Sequence, residues 1–520
     1  MKMKKRNIIL SVLFAAVGLT SCDMEKYPYN AVEESQYMTT ANDFKSARIG
    51  LYSPYRTLTS GGHVLTPEFQ CADFHATASY SNTYGNQYRW DFQSSDGNIE
   101  AIWGNFYTLI ARSNYYIDSY QKLVNGEIPG ISEADRALID CWAGEAYFSR
   151  AFAYYNLATF FCEAYDPSTA AEVYGLPLQL TYVSNATDNS KYPGRSSLQA
   201  TFEQINKDLV EAERLVNESK TVGKTQAKYN YITQDLVTAL RARVALWTKD
   251  YDTAISASTG LISSNKYPLI NDGEAFRAMW VTDYGTEVIW QIYTAAPDEL
   301  CSTNGTMFWG QYKNGDPQVM DFIPSQSLID LYTDGDKDIR FTSFFAPYHL
   351  ALSNGSEADV YVFDKYPGNP DIYSQTIVDN HYINKPKPFR IAEQYLIAAE
   401  AYAAKNDVTN ASKYLNDLCR TRIAEYTDKS YTNATILTAI QNERHKELVG
   451  EGFQLIDLKR WNLGIDRANA YQESTMVLQP GGVNTTALSK QAGDNRFVWP
   501  IPKAEYDANP QLKGQQNPGY

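Results

Sequence analysis

Residues 390–418 read RIAEQYLIAAEAYAAKNDVTNASKYLNDL, and residues 234–262 read QDLVTALRARVALWTKDYDTAISASTGLI. Each stretch contains a helical run with small residues along one face, a short polar turn, and a second helix that opens close to an alanine. The turns are KDY at 249–251 and KND at 405–407, the second connection being one residue longer. Because small residues let two helices approach closely, each stretch predicts a helical hairpin of the tetratricopeptide kind, although the full 34-residue period of that repeat is degenerate here.

Other helices are predicted on both sides of these hairpins. Apolar residues recur at helical spacing over 99–124. Ser132, with Asp135 three residues later, predicts the start of a helix that continues through residues 136–161, and this segment is apolar nearly all round. It should therefore lie at the centre of the scaffold. A further helix is expected to start near Ser197.

The middle of the chain has a different pattern. Between about 265 and 385, strand-like runs such as EVIWQIYT (287–294) and DVYVFDKY (359–366) stand among Gly, Pro and Asn. The predicted fold class is therefore mainly α: a tetratricopeptide-like helical hairpin scaffold with a loop-rich insertion containing short strands. Trp290 lies inside a strand-like run and is expected in the core.

The N-terminus has the pattern of an export signal. Four basic residues within the first six precede the apolar run 8–19, which is too short to span a bilayer as a mature helix. Leu19-Thr20-Ser21-Cys22 resembles the lipobox of bacterial lipoproteins, in which the cysteine is acylated. We therefore predict a signal peptide at 1–21, an acylated Cys22 with a tether at 22–35, and a single domain at 36–520.

Charge and cysteine content exclude several classes of protein. The net charge is −14, and removal of residues 1–21 with their four basic residues gives −14 − 4 = −18. Such an acidic chain is a poor partner for nucleic acid or for an anionic membrane surface. The cysteines after Cys22 are odd in number, widely spaced and free of CxxC motifs, so buried thiols are expected rather than disulfides or a zinc site. They are Cys71, Cys141, Cys162, Cys301 and Cys419.

No common catalytic or cofactor motif occurs in the sequence. GxGxxG, the P-loop, HExxH and GxSxG are absent, and the five histidines lack ligand spacing, so neither a metal nor a cofactor is expected. Asp334, Asp336 and Asp338 imitate a calcium loop, but Phe345 stands where the last acidic ligand should be. A turn with solvated acids is the preferred interpretation. Two suitably placed carboxylates would suffice for a glycosidase, and this alternative stays open.

Residues 440–464, IQNERHKELVGEGFQLIDLKRWNLG, combine acidic and basic side chains at helical spacings of three and four. Since the two signs are matched, we predict a structural ion-pair network that joins two helices. The stretch also resembles the SusD/RagB family of outer-membrane nutrient-binding lipoproteins, in its Glu447-Leu448, Glu451-Gly452 and Asp457-Leu458-x-Arg460-Trp461 elements. Gln454 stands where that family often has Arg.

Further segments extend the resemblance over nearly the whole chain. They are AIWGNFYTLIARSNYYID (101–118), GEAYFSRAFAYYNL (144–157), YGLPL (174–178) and the tail from 498 to 520. The resemblance implies a non-catalytic protein with four tetratricopeptide-like hairpins. It implies a lipid anchor in the outer membrane, a position facing the cell exterior, and a role as lid on a SusC-like TonB-dependent transporter. The implied ligand is an oligosaccharide or polysaccharide, although some relatives capture peptides.

The stretch HATASYSNTYGNQYRW (75–90) is the first candidate ligand site. Its polar composition predicts a loop, yet it carries several aromatic rings in a chain with 40 tyrosines against 21 phenylalanines. Flat rings cover the apolar face of a sugar, and polar side chains bind its hydroxyl groups. The predicted stacking residues are Tyr80, Tyr84, Tyr88 and Trp90. The predicted hydrogen-bonding residues are Asn82, Asn86, Gln87, Arg89 and Asp91. For Trp90, an inward position beside Phe92 is an equal alternative.

The second candidate patch is NGTMFWGQYKNGD (304–316), with Phe308, Trp309 and Tyr312 among glycines and asparagines. The alternative for this patch is a hairpin that packs on the scaffold. Three functions follow from the sequence. Glycan capture for delivery to a transporter is preferred, capture of peptides by the same architecture comes second, and a surface glycoside hydrolase comes third.

Overall fold

The computed structural model describes residues 37–184, 191–217, 229–302, 320–352, 354–372, 382–467, 470–477 and 489–520, together with the backbone of two short strands at 312–313 and 316–317. The α-helices are α1 (Ala41–Tyr52), α2 (Tyr55–Leu58), α3 (Gly62–Gln70), α4 (Gly85–Tyr88), α5 (Gly97–Val124), α6 (Glu133–Phe161), α7 (Leu198–Leu215), α8 (Gln234–Trp247), α9 (Tyr251–Ser263), α10 (Gly273–Val281), α11 (Gln326–Asp330), α12 (Ile339–Phe344), α13 (Ile391–Ala404), α14 (Val408–Arg422), α15 (Ile436–Leu448), α16 (Gln454–Trp461) and α17 (Lys503–Ala508).

The strands are short and form antiparallel pairs. They are β1 (Phe74–Ala76), β2 (Tyr174–Pro177), β3 (Arg195–Ser197), β4 (Val288–Trp290), β5 (Tyr312–Lys313), β6 (Asp316–Pro317), β7 (Phe322–Pro324), β8 (Phe345–Ala351), β9 (Glu357–Phe363), β10 (Phe389–Arg390), β11 (Ile465–Asp466) and β12 (Ser489–Lys490). The pairs are β1 with β7, β2 with β3, β4 with β10, β5 with β6, β8 with β9 and β11 with β12. The fold is mainly helical with short strands, as the sequence predicts.

The long helices begin at polar caps, as expected. Ser132 accepts a hydrogen bond from the Asp135 amide at the start of α6, and Ser197 accepts one from the Ala200 amide at the start of α7. Almost every residue of α6 from Cys141 onward is buried, because the helix lies between α5 and α7. The prediction that this helix is central is confirmed.

The two hairpins predicted from the sequence form and stack on each other. In the first turn Lys249 has φ +62°, and Asp250 caps α9; in the second Asn406 has φ +61°, and Asp407 caps α14. Helix α9 packs against both α8 and α13, and α13 packs in turn against α14 and α15. The hairpins therefore form a continuous helical layer.

The region from 265 to 385 contains helices as well as strands. The run at 287–294 forms a strand only over Val288–Trp290, and the run at 359–366 belongs to the strand Glu357–Phe363. Helix α10 precedes the first of these strands, and α11 and α12 lie between the two. Its apolar side chains form a second core with α3 and β1, beside the larger core of the helical scaffold. Trp290 is fully buried in the larger core, as predicted.

A buried ion-pair network joins this region to the scaffold. Glu447 of α15 accepts hydrogen bonds from Arg340, Arg390 and Arg422 at 2.8–3.2 Å. The network is thus larger than the predicted link between two helices, since Arg340 comes from α12 and Arg390 from β10. Its other members include Asp338, Glu287, Glu443, Glu451, Lys365 and Lys446.

The acidic turn at 334–338 corrects one prediction. Asp338 is not solvated: it is fully buried and binds the Arg340 guanidinium at 2.7 and 2.9 Å. Only Asp334 and Asp336 remain at the surface, around a turn of 3₁₀ helix. The expectation of buried thiols is confirmed for the five cysteines that the structure describes.

Candidate functional site

The loop at 77–91 is held at both ends by carboxylates. At its start the Asp321 carboxylate accepts hydrogen bonds from the Ser81 amide (2.8 Å) and hydroxyl (2.7 Å), and the Thr77 amide donates to the Asp321 carbonyl (2.9 Å). At its end Asn86 and Gln87 donate to Asp96 at 2.9 and 2.7 Å. Asp96 also caps α5, the 28-residue helix that follows the loop.

Tyr88 and Trp90 correct the prediction of a four-ring stacking surface, because both are buried. Tyr88 is 2% exposed, its hydroxyl accepts a hydrogen bond from the Ala76 amide, and the Arg467 guanidinium lies 4.1 Å from its ring centre. Trp90 is 3% exposed and donates from Nε1 to the Gln70 carbonyl at 2.8 Å. Trp90 and Phe92 belong to the scaffold core, which is the alternative considered for Trp90.

Tyr80 and Tyr84 are the rings of this loop that reach the surface. Both are half-buried and lie against the second core. The Tyr80 ring contacts Phe322 edge-on at 5.3 Å between centroids, and its hydroxyl donates to the Thr83 carbonyl. The Tyr84 ring lies 5.4 Å from that of Phe69. Burial raises the pKa of both the Tyr80 and the Tyr84 hydroxyl, so both phenols are protonated, neutral groups at ordinary pH.

The polar side chains predicted to bind hydroxyl groups divide into two sets. Asn82 and Asp91 are exposed and flank Arg89, which donates to Asn82 Oδ1 at 2.6 Å and to Asp91 Oδ2 at 3.3 Å. Asn86 is exposed as well, although its amide is bound to Asp96. Gln87 corrects the prediction, because it is 1% exposed and its amide group is bound to Asp96 and Asn98 at the start of α5.

Part of the second candidate patch lies outside the described residues: Phe308, Trp309 and the side chain of Tyr312. Cys22 in the N-terminal segment lies outside them as well. The described residues on either side of the patch are informative, however. The Ser302 amide donates to Ser60 Oγ, and the Ser302 side chain lies against Gly61. The next residue, Gly62, faces the Tyr84 hydroxyl. At the other side the Met320 carbonyl accepts from the Thr77 hydroxyl.

Asp321 and Ser81 position the loop, and sequence reasoning missed both. The two residues are 240 positions apart, and nothing in the pattern of either segment indicates the contact. The link depends on pairing of β1 with β7, in which Ala76 lies opposite Phe322. Both strands are only three residues long, too short to give a periodic signal.

A group of largely buried titratable side chains links α3 and the residues before β1 to α15 and the residues after it. His445 Nε2 and the Asp73 carboxylate are 2.8 Å apart, and Glu68 Oε1 accepts from the Gly452 amide at 2.6 Å. Burial, together with the nearby Asp73 carboxylate, raises the pKa of Glu68 to about 8. Glu68 and Asp73 are both almost completely buried, so they do not lie at the surface that a ligand could reach.

The described residues hold neither a candidate metal cluster nor a candidate membrane-spanning helix. Nowhere in those ranges do three or more His, Cys, Asp or Glu side chains come together in a way that could hold a metal ion. None of the helices in the described part of the chain is both long enough and apolar enough to cross a bilayer.

The fold and this loop together define a class of protein: a stack of helical hairpins with an irregular surface loop before the start of α5, one of its longest helices. Comparison with known families makes the assignment specific. Residues 33–246 match the family model described as "Starch-binding associating with outer membrane", and residues 351–520 match the model described as "SusD family". The chain belongs to the SusD/RagB family.

Individual relatives agree with this assignment over their full length. The SusD-like protein P38 of Formosa agariphila is 23% identical, and the alignment covers 100% of both chains. A SusD superfamily protein from Bacteroides thetaiotaomicron superimposes with a TM-score of 0.74 at 26% identity, covering 92% of this chain and 100% of the other. A structure described as a putative sugar binding protein from Bacteroides vulgatus has a TM-score of 0.73 at 22% identity, covering 93% and 99%.

Proposed function

We propose that this protein binds carbohydrate at the cell surface through the loop at 77–91. The observation that carries the proposal is the arrangement of Tyr80 and Tyr84, two half-exposed neutral rings, beside the exposed Asn82 and Asp91 and the partly buried Arg89 that they flank. Aromatic faces and directional polar groups at one surface are what a pyranose ring requires. The sugar-binding description of one structural neighbour and the starch-binding description of the family model support the same ligand class.

The second patch belongs to the same proposal. The described chain enters it at Ser302, near Tyr84, and leaves it at Met320, against Thr77. Phe308, Trp309 and Tyr312 are therefore proposed to complete the site. Replacement of Trp309 by alanine tests ligand contact by this patch independently of the loop.

The expected affinity is low. Each tyrosine that covers about 60 Å² of sugar contributes ~1.5 kcal/mol, so Tyr80 and Tyr84 together contribute ~3 kcal/mol. Hydrogen bonds from the polar set, at about 1 kcal/mol each, bring the dissociation constant to the millimolar range or somewhat below it. A protein that captures a nutrient and then releases it to another protein needs binding of this strength.

We further propose that the protein is a lipoprotein of the outer membrane and delivers its ligand to a SusC-like TonB-dependent transporter, without catalysis of its own. Several acyl chains on Cys22 would supply a stable anchor. Mild detergent extraction of native membranes, followed by pull-down, is expected to recover a large β-barrel protein with this chain. Recovery of this chain alone would count against the lid role.

The test of carbohydrate binding compares three proteins: wild type, the double variant Tyr80→Ala/Tyr84→Ala, and Tyr284→Ala. Tyr284 is a matched control, since it is a tyrosine that is 69% exposed and interacts with Tyr229 outside the loop. Native gels containing polysaccharides, followed by calorimetry, should show binding by the wild type and the control and a loss of about 100-fold in the double variant. Binding of peptides but of no polysaccharide would favour the peptide-capture alternative, and release of reducing ends would favour a hydrolase.

A further inference from the structure

The hairpin of β8 and β9 carries a second groove, of about 550 Å³, that is open to solvent. Pro347 lies opposite Tyr361 in the register of the two strands, and His349 lies opposite Asp359. Directly opposed residues share one face of an antiparallel pair, so these four side chains line a single surface. The groove is bounded on its other side by Gln326 and Ile329 of α11 and by Gln472.

The floor of the groove is an aromatic ring held in place. Tyr361 is half-buried, and its ring packs edge-on against Phe341 at 5.1 Å between centroids. Gln472 fixes the backbone at this point: its Oε1 accepts from the Tyr361 amide at 2.7 Å, and its Nε2 donates to the Tyr361 carbonyl at 2.9 Å and to the Pro324 carbonyl at 2.8 Å. A ring positioned in this way loses little freedom when a ligand covers it.

The rim of the groove is polar and exposed. His349 Nδ1 and Asp359 Oδ1 are 2.8 Å apart, with side chains 65% and 90% exposed, and Glu357 lies 3.9 Å from His349 Nε2. An imidazole and a carboxylate beside a tyrosine can bind the hydroxyl groups of a sugar whose apolar face covers the ring. The two carboxylates disfavour an acidic saccharide, because like charges repel.

The groove is also close to the loop at 77–91. Gln326 of the groove stands five positions after Asp321, which holds the start of that loop, and β7 lies between them. Even a fully extended chain of that length spans at most about 17 Å. An extended polymer bound at the loop can therefore reach the groove.

We infer that this groove is a second saccharide site, which binds a neutral segment of the same polymer through Tyr361, His349 and Asp359. The inference rests on the proposed function, and it adds a prediction of its own: the groove contributes to the binding of long chains and not of short ones.

The test uses native affinity gels and calorimetry with starch, xylan, glucomannan and mixed-linkage β-glucan, and with a trisaccharide of whichever backbone binds. The variants are Tyr361→Ala and His349→Ala/Asp359→Ala; the second changes exposed side chains only, so it should fold normally. Lys337→Ala/Glu425→Ala is the matched control, since it also removes an exposed ion pair.

Both groove variants should lower the affinity for the polysaccharide about tenfold and leave trisaccharide binding unchanged, whereas Tyr80→Ala/Tyr84→Ala should lower both. Wild-type affinity of both groove variants for the polysaccharide would overturn the second site while leaving the proposed function intact. Equal losses for both ligand lengths would overturn the role in long-chain binding. Failure of the wild-type protein to bind any polysaccharide would overturn both proposals.

Discussion

Replacement of Glu447 by glutamine should destabilise the protein strongly, because three arginines converge on this one carboxylate. Arg340 and Arg422 are completely buried, Arg390 is 1% exposed, and Glu447 itself is completely buried. Burial opposes ionisation of Glu447, yet the surrounding guanidinium groups hold its pKa well below the usual range. Glutamine has nearly the same shape but removes the charge, and its amide group places donors against donors.

The expected magnitude follows from what the change leaves behind. Loss of one partner from a buried ion pair costs about 3–5 kcal/mol, since the remaining charge stays buried without full compensation. The control is Glu425→Gln. Glu425 pairs with Lys337 at 2.7 Å, but the side chains are 80% and 60% exposed, so no measurable loss is expected.

The assay is urea denaturation followed by far-UV circular dichroism. A denaturant slope of ~3 kcal/mol/M converts the expected loss into a decrease of the midpoint on the order of 1 M. The spectrum of Glu447→Gln without urea should remain native. If its midpoint matched that of Glu425→Gln, the network would contribute nothing to stability and the reasoning would be wrong.

Three further predictions concern other parts of the chain. Trp90→Ala should lower stability by about 3–5 kcal/mol in the same assay, because the ring is core and its Nε1 bond to the Gln70 carbonyl is lost. Burial raises the pKa of Glu68 in the folded state to about 8, above its usual 4.5, so its contribution to stability is present below pH 4.5 and is lost as the pH rises toward 8. Glu68→Gln should remove this pH-dependent component from a plot of unfolding free energy against pH. Identical plots for the variant and the wild type would contradict this prediction. Cys22→Ala should leave the protein in the soluble fraction of fractionated cells, and a variant still held in membranes would exclude a lipid anchor.

The scaffold could be predicted from the sequence because its signals are local. Small residues along α8 and α13, the polar turns after them, and the caps at Ser132 and Ser197 each act within a few residues of the chain. Such signals indicate where a helix starts and that the next helix along the chain packs against it. They do not give the network around Glu447, whose arginines come from positions 25, 57 and 107 residues away.

The direction of the rings in the loop could not be predicted, for a physical reason. Tyr84 and Trp90 have φ of +59° and +58°, a backbone conformation that residues other than glycine rarely adopt. The helical turn α4 lies between these two residues. The result points Tyr88 and Trp90 into two different cores, whereas a composition of Ser, Asn, Gly and Tyr indicates only an exposed loop.

The same burial determines what the loop can contribute to binding. Trp90 and Tyr88 are held by hydrogen bonds to main-chain groups, Asp321 holds the start of the loop, and Asp96 ties its end to α5. A loop fixed in this way is already ordered before a ligand arrives, so binding does not have to offset the entropy of ordering it. The affinity then depends on how many rings and polar groups reach the surface. Two rings in the loop and a third in the groove of β8 and β9 would give weak contacts at separate points, and a long polymer that touches both is held more firmly than a short one.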